Sequence, residues 1–415
     1  MSEPKHYDTI IVGGRVAGSS LAIQLSRAGQ KVAVLDRATF PSDTLSTHVI
    51  YPNTLKRLDD LGVLDQVLEN GPPPLYTAWH FDGRMVVAPH TPIEGRDWAV
   101  CVRRITLDSI LVDQARSEGA DFLEGCQVSG LLGEATEADP VRGVTASGPS
   151  GDFSLTADLV VGADGANSSI ARLVSAEKYS VMPSATMQYF AYWKNADVRN
   201  TQDFFFEPPY VITHFPSDND HHVVGITAPK SERKSIKNLE EYYLDKIASV
   251  PALWNRLSRA ERVSQVKGTA RLEGFYRTST GPGWVLTGDA AHFKHPATAQ
   301  GIGDALHAAE ALAPMICDGA YRAEYPQWRH EASRELYAFS KHLAEVPTAG
   351  NMDLMFNALM HDPDLARRLF DVWSRRSRPW TDVIPDIPGI DQLMGRSVED
   401  VLAPVEARDD LRQSA

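Results

Sequence analysis

The chain opens on an apolar run, Ile10-Ile11-Val12, stopped by Gly13 and Gly14, after which the period changes. Val16, Leu21, Ala22 and Leu25 fall on one helical face. A second apolar run, Val32 to Leu35, ends on Asp36. The pattern predicts strand, glycine turn, helix and strand. Loop composition follows from Arg37 to His48, then two short helices between Asn53 and Leu68, separated at Gly62, and a rigid Gly71-Pro72-Pro73-Pro74 break. Thr77 to Ala88 places Trp79, Phe81, Met85, Val86 and Val87 around Asp82-Gly83, a hairpin signal. Ala99 to Arg104 reads as a short extended segment feeding a helix from Leu107 to Gly119. Phe122-Leu123, Val128 to Leu132, Val141 to Thr145 and Phe153 to Thr156 read as strands, and Ala157 to Gly165 as a buried strand ending on a glycine-flanked acid. Aromatic strands crowd Met187 to Ile226 and predict an antiparallel sheet. Leu239 to Leu257 is helical, and Trp284 to His292 is an apolar strand that ends at Gly288-Asp289. Helices are expected over Ile302 to Ile316, Trp328 to Leu343 and Leu365 to Trp373, then a proline-rich loop from Pro379 to Pro388 and a charged, frayed tail from Glu406.

The first unit carries chemistry. A strand, a glycine turn opening a helix, and an acid about twenty residues on suit a dinucleotide. The helix N-terminus offers free N–H groups and a positive dipole end to a pyrophosphate, and Asp36 suits a ribose. The turn reads Gly13-Gly14-Arg15-Val16-Ala17-Gly18, so Arg15 stands where Gly-x-Gly-x-x-Gly has its middle glycine. Either its side chain turns away and donates to phosphate, or the turn differs and binds no dinucleotide.

Composition narrows the class. The 415 residues carry a net charge of −13, which argues against nucleic acid as the main partner. No run of eighteen apolar residues is present, so no membrane span is expected. The short polar start predicts no signal peptide. Cys101, Cys126 and Cys317 are scattered, without a Cys-x-x-Cys, so neither a redox dithiol nor a zinc knuckle is expected, and a cytoplasmic location fits reduced thiols.

Three glycine–acid turns stand at the ends of apolar strands: Gly13 to Gly18, Ala163-Asp164-Gly165, and Gly288-Asp289 followed by Ala290-Ala291-His292 and Pro296. As a set they resemble the FAD fold of the glutathione-reductase type, and within it the single-component aromatic hydroxylases, with geranylgeranyl reductases and flavin-dependent halogenases as cousins. The resemblance spans roughly residues 6 to 345. It implies an α/β fold: a Rossmann-like FAD-binding domain with a parallel sheet (1–75, 99–180 and 270–345), an inserted antiparallel-sheet substrate domain (76–98 and 181–269) and a helical C-terminal region (346–415). It also implies that Gly13, Gly14, Arg15, Val16, Ala17 and Gly18 hold the pyrophosphate and that Asp36, with Arg37 beside it, serves the adenosine ribose. Arg104, within Arg104-Ile105-Thr106-Leu107-Asp108, would touch the ribityl or phosphate portion. Val128, Asp164, Gly288 and Asp289 would complete the cofactor contacts, while Pro296, Gly301 and Ile302 would line the flavin ring. A helix beginning near Gly301 would aim its positive end at the reduced flavin. Four positions depart from the family pattern: Arg15, Ala299, Gly303 and Ala308.

Several residues admit a plainer reading. His48 is either a surface histidine or, by its place near the flavin, an active-site residue. His214 faces either pocket or solvent. His292 and His295 have the spacing of a metal pair but lie inside the flavin motif, so no metal is expected, and His295 is placed at the substrate pocket. Tyr192, Phe206 and Tyr210 are sheet core, pocket wall, or both. Arg367, Arg368, Arg375, Arg376 and Arg378 read as a solvated helix face.

The absence of a second glycine-rich βαβ unit predicts no separate nicotinamide domain. The halogenase Trp-x-Trp-x-Ile-Pro is missing, and of the reductase Tyr-x-Trp-x-Phe-Pro only Phe215-Pro216 survives. What the resemblance implies is an FAD-dependent monooxygenase acting on an aromatic or other electron-rich small molecule through a flavin C4a-hydroperoxide. NADPH or NADH would be the transient reductant and O₂ the co-substrate. The rivals are a reductase of a carbon–carbon double bond and a flavin-retaining protein without catalysis.

Overall fold

A computed structural model describes residues 5–389; the charged tail expected from Glu406 lies outside them. Its first sheet is built around His6–Val12, whose four C-terminal residues are all buried. That strand pairs in parallel with Val32–Asp36 on one side and Gly151–Gly162 on the other. Asp121–Glu124 and Trp284–Leu286 extend the parallel set outward. A sheet buried on both faces calls for continuous apolar strands rather than alternating ones, and Val32–Asp36 is buried at every position.

Helix Val16–Arg27 lies against this sheet and packs on both Gly301–Cys317 and Arg104–Ser117. Gly303, one of the four departures from the family pattern, has a packing reason. A Cβ on it would lie 2.6 Å from Thr54 Oγ1, so the glycine lets helix Gly301–Cys317 close on helix Pro52–Asp60. The helices expected between Asn53 and Leu68 are Pro52–Asp60 and Leu64–Glu69. The strand expected to run from Trp284 to His292 is shorter. Trp284–Leu286 stops before Gly288, whose φ of +57° turns the chain into a single helical turn. His292–Phe293 then joins a separate three-stranded sheet with Gly274–Arg277 and Lys178–Met182.

The second large sheet is antiparallel apart from one pair. Thr186–Lys194, His221–Pro229, Tyr210–Pro216 and Thr201–Glu207 follow one another, and Thr201–Glu207 pairs in parallel with Tyr76–Phe81. The hairpin expected at Asp82-Gly83 joins Tyr76–Phe81 to the edge strand Arg84–Ala88. Both faces of this sheet are covered. Ile212, Phe205 and Val224 pack with Tyr243, Ile247 and Leu253 of helices Leu239–Ala248 and Pro251–Leu257. Trp79, Phe81, Phe190, Tyr192 and Phe215 face the other way, into one core with Phe356, Phe370 and Trp373. Those last residues come from the C-terminal region, whose helices are Ala349–His361 and Pro363–Asp371. Helix Ala349–His361 falls within the region expected to be helical, though the sequence pattern gave it no bounds, and the stretch expected as a proline-rich loop is coiled into short turns over Pro379–Val383 and Ile384–Asp386.

Candidate active site

The glycine turn is fixed by close backbone approach. Gly13 has φ +102°, and a Cβ there would sit 2.5 Å from the Ala163 carbonyl oxygen; one on Gly18 would sit 1.8 Å from that of Gly13. The first and third glycines therefore bring two strand ends and a helix start into contact. Gly14 N–H donates to Asp36 Oδ2 at 2.7 Å and Ala38 N–H to Oδ1 at 2.7 Å, so the strand-end acid is anchored beside the turn. Arg37 is exposed, Ala17 half-buried, and Val16 buried.

Arg15 does turn its side chain away from the turn. Its guanidinium donates to Asp108 Oδ2 at 2.6 Å, to Ser42 and to the Asp43 carbonyl, and lies over Phe40. Arg104 grips the same carboxylate at 2.8 and 3.0 Å. Asp108, fully buried, thus ties two guanidiniums together, and the trio keeps one net positive charge beside the helix N-terminus. Asp108 stands in the Arg-x-x-Leu-Asp motif but was given no role from sequence; its place one helical turn after Arg104 is the signal that could have found it.

The Gly288–Asp289 turn comes to the same place. A Cβ on Gly288 would lie 2.9 Å from the Ala17 side chain. Solvent reaches Asp289, yet protein crowds it. Desolvation, with the nearby Asp304 charge, pushes its carboxyl up to about 6, against the pull of Arg104 and Lys294. Among the described residues nothing donates a hydrogen bond to it. Two buried arginines that the sequence pattern did not reveal hold this turn from beneath. Arg277 donates to the Ala290 carbonyl at 2.8 Å and Arg329 to the Ala291 carbonyl at 2.7 Å. An exposed carboxylate without a donor, beside the glycine turn and the start of helix Val16–Arg27, has the chemistry to accept from the ribityl hydroxyls of a flavin dinucleotide.

Asp164 is different. Its carboxylate accepts from the Ser168 hydroxyl and from Ser169 N–H and Oγ–H at 2.6 Å each, so it caps the short helix Ser169–Leu173. Val128 is buried in the core beneath the parallel sheet. Pro296 begins a helical turn that ends at Ala299, whose φ of +50° keeps the left-handed backbone usually given to glycine. Gly301 is exposed at the start of Gly301–Cys317, with open space where a Cβ would be, and Ile302 is buried behind it.

On the sheet side, His48 is buried and holds φ +66°, a conformation that costs a non-glycine residue about 1–3 kcal/mol. Its Nε2 lies 2.9 Å from the Tyr192 hydroxyl, which donates to Asp43 Oδ1 at 3.1 Å. Since Tyr192 donates to Asp43, it accepts from His48 Nε2–H, and Nδ1 keeps a free lone pair with no partner among the described residues. Burial pushes the imidazole down to about 3, so it is neutral at neutral pH. Phe190 meets the His48 ring edge-on at 5.1 Å.

His214 and Tyr210 lie on the opposite face. His214 stacks on His222, with Nε2 3.0 Å from His222 Nδ1, in a buried group around Asp203 and Arg256. Tyr210 donates to Glu232 and accepts from Lys246. Strand alternation separates both from Phe215, the neighbour that shares a core with Tyr192. Phe206 faces the Tyr192 side but packs against Trp79 and Phe356. His295 is tied to Thr186 Oγ1 at 3.0 Å and to Ala297 N–H. His292, stacked on Tyr276, does not meet it in a metal-binding group; among the described residues there is none. Arg375 is not on a solvated face, because it pairs with Asp304.

Comparisons with known proteins agree with this geometry. The chain is 23% identical over 393 residues to a 1H-pyrrole-2-carbonyl-(peptidyl-carrier protein) chlorinase of Pseudomonas fluorescens, covering 86% of each chain. It is 28% identical over 345 residues to the 6-methylpretetramide 4-monooxygenase of Streptomyces rimosus, covering 77% of each. The solved flavin-dependent brominase Bmp2 shares the fold, with a TM-score of 0.74 at 18% identity over 94% of this chain and 98% of that one. The family described as "FAD binding domain" matches residues 6–338, and the chain belongs to that family of flavin-dependent oxidoreductases.

Proposed function

We propose that the protein is a monooxygenase that hydroxylates or epoxidises an aromatic or other electron-rich small molecule, with NADPH or NADH as a transient reductant. Bound FAD, once reduced, would supply the activation of O₂. The glycine turn, Asp36, the Arg15–Asp108–Arg104 trio and Asp289 would hold it, and the start of Gly301–Cys317 would face its ring. The observation that carries the reading is the buried wall of Phe190 and Tyr192 around His48. It keeps water from His48 while leaving one acceptor, His48 Nδ1, without a partner among the described residues. Such a wall suits an apolar ring bearing few polar groups, and dryness protects a reactive oxidant from loss to solvent. The similarity to a 6-methylpretetramide 4-monooxygenase points the same way.

The deciding experiment follows NAD(P)H oxidation with candidate aromatics. Substrate should accelerate it, oxygen should be consumed, and label from O₂ should enter the product. Anaerobic turnover as fast as aerobic, with a product two hydrogens heavier, would replace oxygen transfer by double-bond reduction. A second reading, halogenation, is favoured by the similarity to a chlorinase; halide-dependent product formation without labelled oxygen would establish it.

A further inference from the structure

The C-terminal region lies beyond residue 338, where the family match ends, yet it is bonded to the loop that would face the flavin ring. Gln300, buried, donates through Nε2 to the carbonyls of Val372 and Trp373 at 3.2 Å each. Its Oε1 accepts from Lys294 Nζ at 2.9 Å. Lys294 is itself buried, its side chain 3% exposed, and pairs with Asp304 Oδ2 at 2.7 Å. Arg375 takes the other oxygen of Asp304 and also donates to the Ala332 carbonyl at 2.8 Å, from a backbone held at φ +57°. Asp304 stands in the first turn of Gly301–Cys317.

The charges do not cancel within this group. One carboxylate faces two cations in a site largely closed to water, where a charge acts over a longer range than in solution. The group is close enough to act on Asp289, where the Asp304 carboxylate outweighs the opposing Lys294 ammonium, and Arg375 is the cation that offsets Asp304 from its other side. Nothing about cofactor retention alone calls for a second cation from a distant segment. A flavin that gains electrons and becomes an anion above this loop does.

We propose that residues 372–375 are a working part of the flavin site: Arg375 offsets the Asp304 carboxylate, so that the buried Lys294–Asp304–Arg375 group keeps one net positive charge favouring reduced, anionic flavin over oxidised flavin. Arg375 is a positioning residue in this scheme, acting through Asp304 and Lys294. The proposal rests on family membership and on the loop's placement at the flavin, not on the fate of oxygen.

The test is the midpoint potential of bound FAD, measured anaerobically without substrate, so it stands or falls apart from the monooxygenase reading. Arg375→Gln should lose about ten-fold of the preference for reduced over oxidised flavin, a drop of about 30 mV for a two-electron couple. Lys294→Met should shift the potential the same way, and Arg375→Lys should restore it. A purely structural role would loosen both redox states alike and leave the potential unmoved. Wild-type potential in Arg375→Gln that retains FAD would overturn the proposal, as would failure of Arg375→Lys to rescue. If Arg375→Gln does not retain FAD, an unshifted Lys294→Met overturns it.

Discussion

The parallel sheet and the antiparallel sheet bring their chemistry together in different ways. Around the parallel sheet the site is made by backbone approach. Gly13 touches Ala163, Gly18 touches Gly13, and Gly288 meets Ala17. In the antiparallel sheet it is made by side-chain direction, since a step of one residue moves a group from one core to the other, as between His214 and Phe215. Backbone contacts restrict residue type and leave a mark in the sequence. Side-chain direction leaves a mark only when one face is wet, and here helices cover both.

Mutations can break or sharpen this contrast. Phe356→Ala should cost the most, about 3–5 kcal/mol of stability, because it opens a cavity between the sheet and the C-terminal helices. Denaturant unfolding of the FAD-free protein would measure it. The contrast holds if folded Phe356→Ala still binds FAD at near wild-type affinity. Gly18→Ala should cost about 3 kcal/mol, since one methyl must displace the helix start from the Gly13 carbonyl. Here FAD binding should fall with stability, read by cofactor content after desalting. Retention of both would mean that the turn tolerates a side chain and that backbone approach does not set it.

Asp289→Ala should leave the fold intact and weaken FAD binding about ten-fold or more, through lost charge-assisted hydrogen bonds. Titration by flavin fluorescence quenching checks this. The same residue gives a pH signature. Its carboxyl is pushed up to about 6 from the ordinary 3.8, so between those values the FAD-free fold holds a proton that the unfolded chain has lost. This contribution is fully present below about pH 4 and disappears as pH rises through about 6. Melting temperatures of FAD-free Asp289→Asn should lack that part of the decline. The smallest effect is expected at Ala299. Its left-handed backbone costs about 1–2 kcal/mol in a non-glycine residue, and glycine's greater freedom when unfolded offsets part of that. Ala299→Gly should therefore stabilise by about 0.5–1 kcal/mol, visible as a small rise in melting temperature.

How much was legible follows from the same contrast. The strand–turn–helix of residues 10–25, Asp36 and the Gly288–Asp289 turn could be read directly, because apolar runs stopped by glycine mark strand ends locally in the sequence. The orientation of Arg15 could not, since its partner Asp108 lies 93 residues away. The faces of His214 and Tyr210 were beyond reach because apolar residues flank the strand on both sides. The bounds of helix Ala349–His361 were beyond reach for a related reason: its place depends on Phe356 meeting Phe81 and Phe206, not on a local pattern. Arg375 was misread as solvated because neighbouring arginines are indeed exposed, and only the fold brings Asp304 to it.

The central strand of the parallel sheet has a bearing on the order of assembly. His6–Val12 pairs with a strand 20 residues downstream and with Gly151–Gly162, while Trp284–Leu286, which leads into the Asp289 turn, joins only at the far side. On a ribosome, the first βαβ unit can form early from local contacts, whereas closing the sheet must wait for hundreds of residues. The cofactor cleft is therefore among the last features a nascent chain can complete. Flavin capture would then report on finished synthesis, and a chain halted before residue 284 would carry the glycine turn without the carboxylate that answers it.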